Sequence, residues 1–336
     1  FVTLDDGGPP STGEPGCVPP AIETGTPVDI GGDSAILTGT LDDLGRSPNV
    51  NVSFEWDTDT EGLFQNENEY ETMSGKKAPG MITGKPVGMG GSLGRREATG
   101  YGVVITLREA LKELNIDPAS TTASIQGFGS VGQYAFELYD QIGGKVVCVS
   151  SWDQKEQKSY SFYKKEGVGL EELRSVTDHF GGIDKEKAES LGYEVLSGEE
   201  WITQEVDVLI PCALENSINE ENVDGISKKV KILAEGANGP TSPEAGSKID
   251  EKGIFTIPDL LANAGGVTTS YFEQVQSNMN YFWEKDEVLS KLDLKMTAAY
   301  IAVSDFARAH KLPMRDAAYI ISVNRVAQAC QDRGWV

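Results

Sequence analysis

Histidine is almost missing from this 336-residue sequence, which holds only His179 and His310. An imidazole-based zinc site needs more donors than that, so no metal is expected. Cysteine is scarce as well: Cys17, Cys148, Cys212 and Cys330, none spaced as C-x-x-C. Cys148 and Cys212 lie in or beside apolar runs, the pattern of buried thiols in a reduced, intracellular protein, and a cytoplasmic location is expected. No apolar run approaches the ~20 residues needed to cross a bilayer, so no membrane contact is expected. The opening FVTLDD lacks the basic start and apolar core of a secretory signal. It also lacks an initiator methionine, which suggests a processed product or a fragment. Positive charge is short throughout: 29 bases against 52 acids leave a net charge of −23, which argues against nucleic-acid binding through a basic face.

The sharpest local absence is of lysine. Residues 1–75 contain none, with Arg46 as their one base against fifteen acids, a net −14. Residues 76–336 carry 28 bases and 37 acids, a net −9 over a much longer stretch. The first part is rich in Gly, Pro, Asp and Thr, and the second in long periodic segments. Two domains are therefore expected, 1–75 and 76–336, with the boundary near Met73-Ser74-Gly75. In the first, residues 34–41 and 50–56 read as short strands separated by turn formers. SAILTGTLDDLG followed by VNVSFEW resembles the opening strands of an acidic immunoglobulin-like or fibronectin-like β-sandwich. A sandwich needs about seven strands, and two or three are visible. An acidic, mostly disordered arm is the alternative.

In the second part short apolar runs alternate with helical patterns. Strands are expected over 121–126, 145–150, 206–211, 230–236 and 253–259. Helices are expected over 98–114 and 130–142, and two more close the chain over about 286–310 and 313–332. Buried strands alternating with helices predict an α/β fold: a doubly wound, mostly parallel sheet covered on both faces, with C-terminal helices. No internal repeat is visible.

QGFGSVG (126–132) reads as G-x-G-x-x-G between the first of these strands and its helix, the setting in which that motif signals a dinucleotide. Gly127 permits the tight turn, Gly129 lets backbone approach a pyrophosphate, and Gly132 allows helix and strand to pack closely; Phe128, Ser130 and Val131 complete the loop. The helix N-terminus offers N–H groups and partial positive charge to the phosphates. At the ribose end the next strand runs into Ser150-Ser151-Trp152-Asp153. Asp153 lies 21 residues beyond Gly132, near the ~20 expected of a ribose-binding acid, and Ser151 lies beside it. Lys155 and Lys158 follow, and serines with lysines suit a 2′-phosphate, so NAD and NADP both stay open. Other strands end in PCAL (211–214), GANGP (236–240) and NAGGV (263–267). Their small residues, Ala213 among them, leave room for a ligand, and Asn238 and Asn263 can hydrogen-bond a nicotinamide carboxamide or ribose. Asparagine beside glycine is also ordinary turn chemistry.

Several longer stretches carry a family likeness. TGKPVGMGGSLGRREATGYGV (83–103), QGFGSVG, PCALEN (211–216), EGANGPTSPEA (235–245), IPDLLANAGGVTTSYFE (257–273) and MRDAAYIISVNRV (314–326) resemble glutamate dehydrogenase, of the Glu/Leu/Phe/Val dehydrogenase family. The likeness runs from about Lys76 to Val336. It implies a Rossmann-like second domain binding NAD or NADP for oxidative deamination of L-glutamate to 2-oxoglutarate and ammonia. By the same resemblance Arg95 and Thr99 stand near the nicotinamide, Asn238 contacts the cofactor, and Asn263 sits in the active-site turn. Val267 and Ser270 line the substrate pocket, Ser270 on the distal carboxylate. Valine or leucine dehydrogenase has a similar second domain, but PCALEN, EGANGP and TTSYFE favour the glutamate enzyme.

The family's first domain supplies the catalytic lysine, carboxylate-binding lysines and a proton-handling aspartate. Residues 1–75 show none of those motifs, so no catalytic residue is assigned in this chain and little or no turnover is expected of it alone. Lys76 and Lys77, the nearest bases, read as an exposed turn in SGKKAPG. The family is homo-hexameric largely through that first domain, against which the closing helix packs. Part of that helix's apolar face is therefore expected to meet the acidic module or to drive self-association. Three other readings compete: a non-catalytic dinucleotide-binding module, a surface or interaction protein acting through its acidic N-terminal segment, and a chimeric product.

Overall fold

The computed structural model describes residues 21–24, 34–42, 50–57, 70–72 and 75–334, the first three stretches by their backbone alone. The chain divides into two units, 1–90 and 91–336. In the first, β1 (Ala21–Thr24), β2 (Ser34–Asp42) and β3 (Val50–Asp57) form an antiparallel sheet in the order β1-β2-β3. Ala21 stands opposite Asp42, and Ser34 opposite Asp57. The rest of the expected sandwich or arm lies outside the described residues. Lys76 and Lys77 are exposed, and Lys77 pairs with Glu71 at 2.5 Å.

The second unit is built on a seven-stranded sheet. Helix α1 (Ala98–Glu113) precedes β4 (Thr122–Gln126), α2 (Ser130–Gln141) and β5 (Lys145–Asp153). A hairpin then adds β6 (Lys158–Tyr163). Two short helices, α3 (Leu170–Ser175) and α4 (Lys185–Ser190), lead to β7 (Glu194–Ser197) and α5 (Glu200–Thr203). Next come β8 (Val208–Pro211), β9 (Ile232–Ala234), α6 (Pro243–Glu251) and β10 (Phe255–Ile257). The chain closes with α7 (Asp259–Ala262), α8 (Gly265–Met279), α9 (Lys285–His310) and α10 (Met314–Asp332). Strand order is β10-β9-β8-β4-β5-β6-β7.

The five strands from β10 to β5 pair in parallel, as the alternating pattern predicts. They are near-continuous apolar runs: all of β8 and β9 is buried, because helices cover both faces. The edge differs from the expectation. β5 runs on to Asp153 and turns back as β6, antiparallel, which in turn pairs antiparallel with β7. The reason is chemical. The polar tetrad 154–157, with Gln157 at φ 54°, makes a tight turn, and the KSYSFY strand that follows buries the adjacent pair Ser161 and Phe162 while Lys158 is exposed. Chain order reverses at β4, with β5 on one side and β8 on the other, so a ligand crevice is expected beyond the carboxyl ends of these strands.

Helix α1 crosses this edge wedged between two other helices, and glycine makes that possible. A Cβ on Gly100 would lie 2.5 Å from the Ala135 nitrogen and 2.6 Å from the Val131 carbonyl oxygen in α2. One on Gly102 would lie 2.9 Å from the Gly265 Cα in α8, and one on Gly265 would lie 2.1 Å from the Ala98 carbonyl oxygen. A second apolar cluster locks α1 to α8 and α9 through Ile105, Phe272, Val288, Leu292 and Met296. Helix α10 buries Met314, Ala317 and Ala318, while Tyr319, Val323 and Val326 stand exposed. Among the described residues no helix is long and apolar enough to cross a membrane.

Gly100→Val should destabilise the chain by about 3 kcal/mol or more, because backbone cannot retreat the way a flexible side chain can. Gly246→Ala is the matched control. A Cβ at Gly246, within α6, meets nothing within 4 Å. Removing a helix-interior glycine there should stabilise by up to ~1 kcal/mol. Urea unfolding of the two variants checks both signs.

Candidate active site

The glycine turn joins β4 to α2 at the switch point. Gly127 takes φ 91°, a left-handed conformation that a Cβ disfavours, and its N–H bonds the Ser150 carbonyl at 2.9 Å. A Cβ at Gly132 would sit 2.0 Å from the Gly127 carbonyl oxygen, so helix and turn touch backbone to backbone. Gly129 is the opposite case: a Cβ there would meet nothing within 4 Å. That open space lies at the start of α2, which has no side-chain cap and no acid in its first turn. Gly129 and Ser130 are exposed, so the positive end of the helix and its first N–H groups are free to meet an anion. Phe128 is buried and its carbonyl accepts from Gln133 Nε2, while Val131 is half-buried. Ser130 Oγ donates to the Arg96 carbonyl. The cradle fits a dinucleotide pyrophosphate.

At the β5 end the serines and the acid do different things. Ser151 is buried and its hydroxyl accepts the Ile183 N–H at 3.1 Å. Asp153 lies three residues beyond Ser150, the residue level with Gln126 in β4. Its Oδ1 accepts the N–H groups of Lys155 at 2.7 Å and Glu156 at 3.0 Å, capping the β5–β6 turn. The bases nearby are not all free: Glu156 pairs with Lys185 at 2.5 Å and Lys158 at 3.2 Å. Lys185 is the chief cause that draws the Glu156 carboxyl down to about 2.

The strand-end turns are tied edge to edge. Cys212 N–H donates to the Gln126 carbonyl, and the N–H groups of Gly236 and Ala237 donate to the Pro211 carbonyl. A Cβ on Gly127 would touch the Ala213 Cβ at 2.9 Å, which places Ala213 against the glycine turn. Asn263 Nδ2 bonds Asn238 Oδ1 at 2.7 Å and the Ala237 carbonyl at 3.3 Å, joining the two asparagine turns. Beyond them Arg95 Nε donates to Ser270 Oγ at 3.0 Å, and Gly266 leaves room for the Thr99 hydroxyl, which a Cβ would meet at 2.4 Å. Val267 stands on the same helix with 69% of its surface exposed. The structure thus brings Arg95, Thr99, Asn263 and Ser270 to one corner, with Asn238 bonded into it.

The profile of the Glutamate/Leucine/Phenylalanine/Valine dehydrogenase family matches residues 90–334. This chain belongs to that family. The NAD-specific glutamate dehydrogenase of Clostridioides difficile is 41% identical over 268 residues, 80% of this chain and 62% of that protein. The glutamate dehydrogenase of Thermotoga maritima is 40% identical over 304 residues, 89% of this chain and 68% of its own. The crystal structure of Peptoniphilus asaccharolyticus glutamate dehydrogenase superposes with a TM-score of 0.69 at 33% identity, covering 83% of this chain and 64% of that one. The chain therefore spans about three fifths of the length of several relatives it matches.

Within this family member, one charged network is not legible in the sequence. Glu235, directly after β9, is fully buried, and its Oε2 accepts from Arg315 Nη2 at 2.5 Å and from the Asp259 N–H at 2.9 Å. Arg315 Nη1 bonds Asp259 Oδ1, and Asp259 Oδ2 accepts the Gly239 N–H, each at 2.9 Å. Three of the quoted motifs, EGANGP, IPDLLANAGG and MRDAAY, are thus stitched together behind Asn238. The signal was present as charges inside apolar runs, but linear spacing does not reveal who meets whom. Burial raises the Glu235 carboxyl above its ordinary value, with Arg315 pulling the other way.

Arg315→Met should therefore cost about 3 kcal/mol near pH 8, because it strands a buried carboxylate. A carboxyl whose folded pKa is raised binds its proton more tightly folded than unfolded, so its stability contribution is lost as pH rises. The deficit of this variant should be smaller at pH 5 than at pH 8, because lower pH favours the neutral carboxyl that burial prefers. Paired urea titrations at the two pH values test the sign.

Proposed function

We propose that this chain is the dinucleotide-binding half of an NAD-dependent glutamate dehydrogenase, acting on L-glutamate and 2-oxoglutarate. The observation that carries the reading is the open cradle at Gly129, at the reversal of strand order, with Arg95, Thr99, Asn238, Asn263 and Ser270 beyond the same sheet edge. When bound, the nicotinamide supplies a hydride acceptor for oxidation at the amino-bearing carbon. The N-terminus of α2 holds the pyrophosphate. Asp153 faces the adenosine ribose from a turn that its own Oδ1 rigidifies, and Glu156 neutralises Lys158 and Lys185, so the 2′-hydroxyl of NAD is favoured over the 2′-phosphate of NADP. The names of the NAD-specific relatives support that choice.

Asn238 and Asn263, bonded to each other, orient the carboxamide. Arg95 presents Ser270 to the distal carboxylate of the substrate, with Val267 as an apolar wall. None of these groups is a base at neutral pH. The proton steps fall to a lysine and an aspartate of the kind carried by the family's first domain. Alone, this chain binds dinucleotide with little or no turnover. Homo-hexameric assembly and a cytoplasmic setting belong to the same reading.

NADH fluorescence titration of the chain should saturate. Gly129→Glu should weaken NADH at least tenfold, about 1.4 kcal/mol, without changing the far-ultraviolet circular dichroism, since the site is open. Asp153→Asn should weaken NADH more than NADPH. No binding at millimolar cofactor would sink the assignment. Clear glutamate oxidation by the chain alone, abolished by Gly129→Glu, would sink the division of labour.

A further inference from the structure

Asn238–Gly239 is the one Asn-Gly pair in the sequence. Such a pair carries a reaction of its own. The main-chain nitrogen of the second residue can attack the side-chain amide carbon of the first, and glycine, having no Cβ, leaves that approach unhindered. Both residues are exposed, Gly239 takes φ 52°, and a Cβ on it would meet nothing within 4 Å. Water and space are therefore present at this turn.

The fold restrains each reacting group. The nucleophile is held by Asp259, whose Oδ2 accepts the Gly239 N–H at 2.9 Å. The electrophile is held by Asn263, whose Nδ2 donates to Asn238 Oδ1 at 2.7 Å. The Gly239 carbonyl accepts the Asn216 N–H at 2.8 Å, so glycine is tied at both its nitrogen and its oxygen. Asp259 is itself fixed by Arg315 at 2.9 Å, from 56 residues further along the chain.

We propose that Asn238 is a site of spontaneous deamidation and that Asp259 is the group that holds the reaction in check. The first step forms a bond from the Gly239 nitrogen to Asn238 Cγ and breaks the Cγ–Nδ2 bond. The Gly239 proton leaves with the amide nitrogen as ammonia, and a cyclic succinimide closes. Water then opens one side of the imide. Opening at Cγ leaves an aspartate at position 238. Opening at the main-chain carbonyl carbon leaves an isoaspartate, with the chain running through the side chain. The sum is amide plus water giving carboxylate and ammonium, with no change of oxidation state.

The attacking nitrogen must first give up its proton. A hydrogen bond to the protonated form and a negative charge beside it both disfavour that ionisation, and Asp259 supplies both. A carboxylate is far too weak a base to take an amide proton, so it keeps the proton on the nitrogen. The Asn263 bond polarises the Asn238 amide but also fixes its side chain, so control rests on the nitrogen. The product carries a carboxylate where Asn238 had a donor, which ends its part in holding a carboxamide. That consequence rests on the proposed function; the modification does not.

Peptide mapping by mass spectrometry, after incubation at mildly alkaline pH, reads the amide-to-acid mass gain at Asn238. The folded chain should convert about tenfold or more slowly than the same chain held unfolded in guanidinium chloride. Equal rates would overturn the restraint, and no conversion even when unfolded would overturn the site. Asp259→Ala should speed conversion of the folded chain about tenfold. Asp259→Asn, which keeps an acceptor without the charge, should speed it several-fold and decides the matter where circular dichroism shows the alanine variant unfolded. An unchanged or slower rate would overturn the role of Asp259. Gly100→Val, destabilised away from this turn, separates guarding from general loosening: acceleration equal to that of the Asp259 variants would also overturn that role. Asn238→Asp should weaken NADH several-fold, and an unmoved dissociation constant would overturn the consequence for the cofactor. Failure of the parent chain to bind NADH would overturn the dinucleotide reading, while the mass measurement still decides the site.

Discussion

The cofactor edge depends on helix α1 lying against two helices with no side chain between them. Gly100 lets the α2 backbone approach on one side, and Gly102 meets Gly265 of α8 on another. The first contact sets where the glycine turn and its helix end stand. The second sets where Arg95, Thr99 and Ser270 stand. A Cβ at any of these glycines would fall within 3 Å of backbone, so the distance between the glycine turn and the Arg95–Ser270 corner is fixed by peptide planes. Backbone is the least compressible spacer a protein has, and interiors packed to crystal density transmit any shift rather than absorb it.

The asparagine side of the site is fixed by charge instead. Glu235, Arg315 and Asp259 come from a strand end, a helix start and a helix N-terminus far apart in sequence. Buried ion pairs add little net stability, because desolvation offsets the attraction, but they specify a single arrangement of the elements they join. Here the arrangement specified is that of the turn carrying Asn238 and its partner Asn263.

Much of this was legible in the sequence. Apolar runs without alternation marked the parallel strands, because both faces of that sheet are covered. QGFGSVG was legible because a left-handed turn and a backbone contact exclude other residues at Gly127 and Gly132. The antiparallel edge was not, since a six-residue run such as KSYSFY carries little signal and the strand expected over 145–150 stops short of the turn. That extension changes the meaning of Asp153, which proves to cap a hairpin turn. The network around Glu235 was hidden for another reason: its members lie in three separate stretches, EGANGP, IPDLLANAGG and MRDAAY, and pairing across 80 positions leaves no trace in local periodicity.

That separation bears on how the molecule is made. The Asn238 turn emerges early relative to Arg315, yet Glu235 lies buried beside it, and its charge has no partner until the start of α10 arrives. Long-range contacts of this kind form late in folding, after local helices and neighbouring strands. In chain order the glycine turn and α2 precede both Asp259 and Arg315, so the segments that fix the Asn238 turn are delivered after those that form the turn at Gly127. The two turns that the proposed site would use are thus held by segments that leave the ribosome at different times.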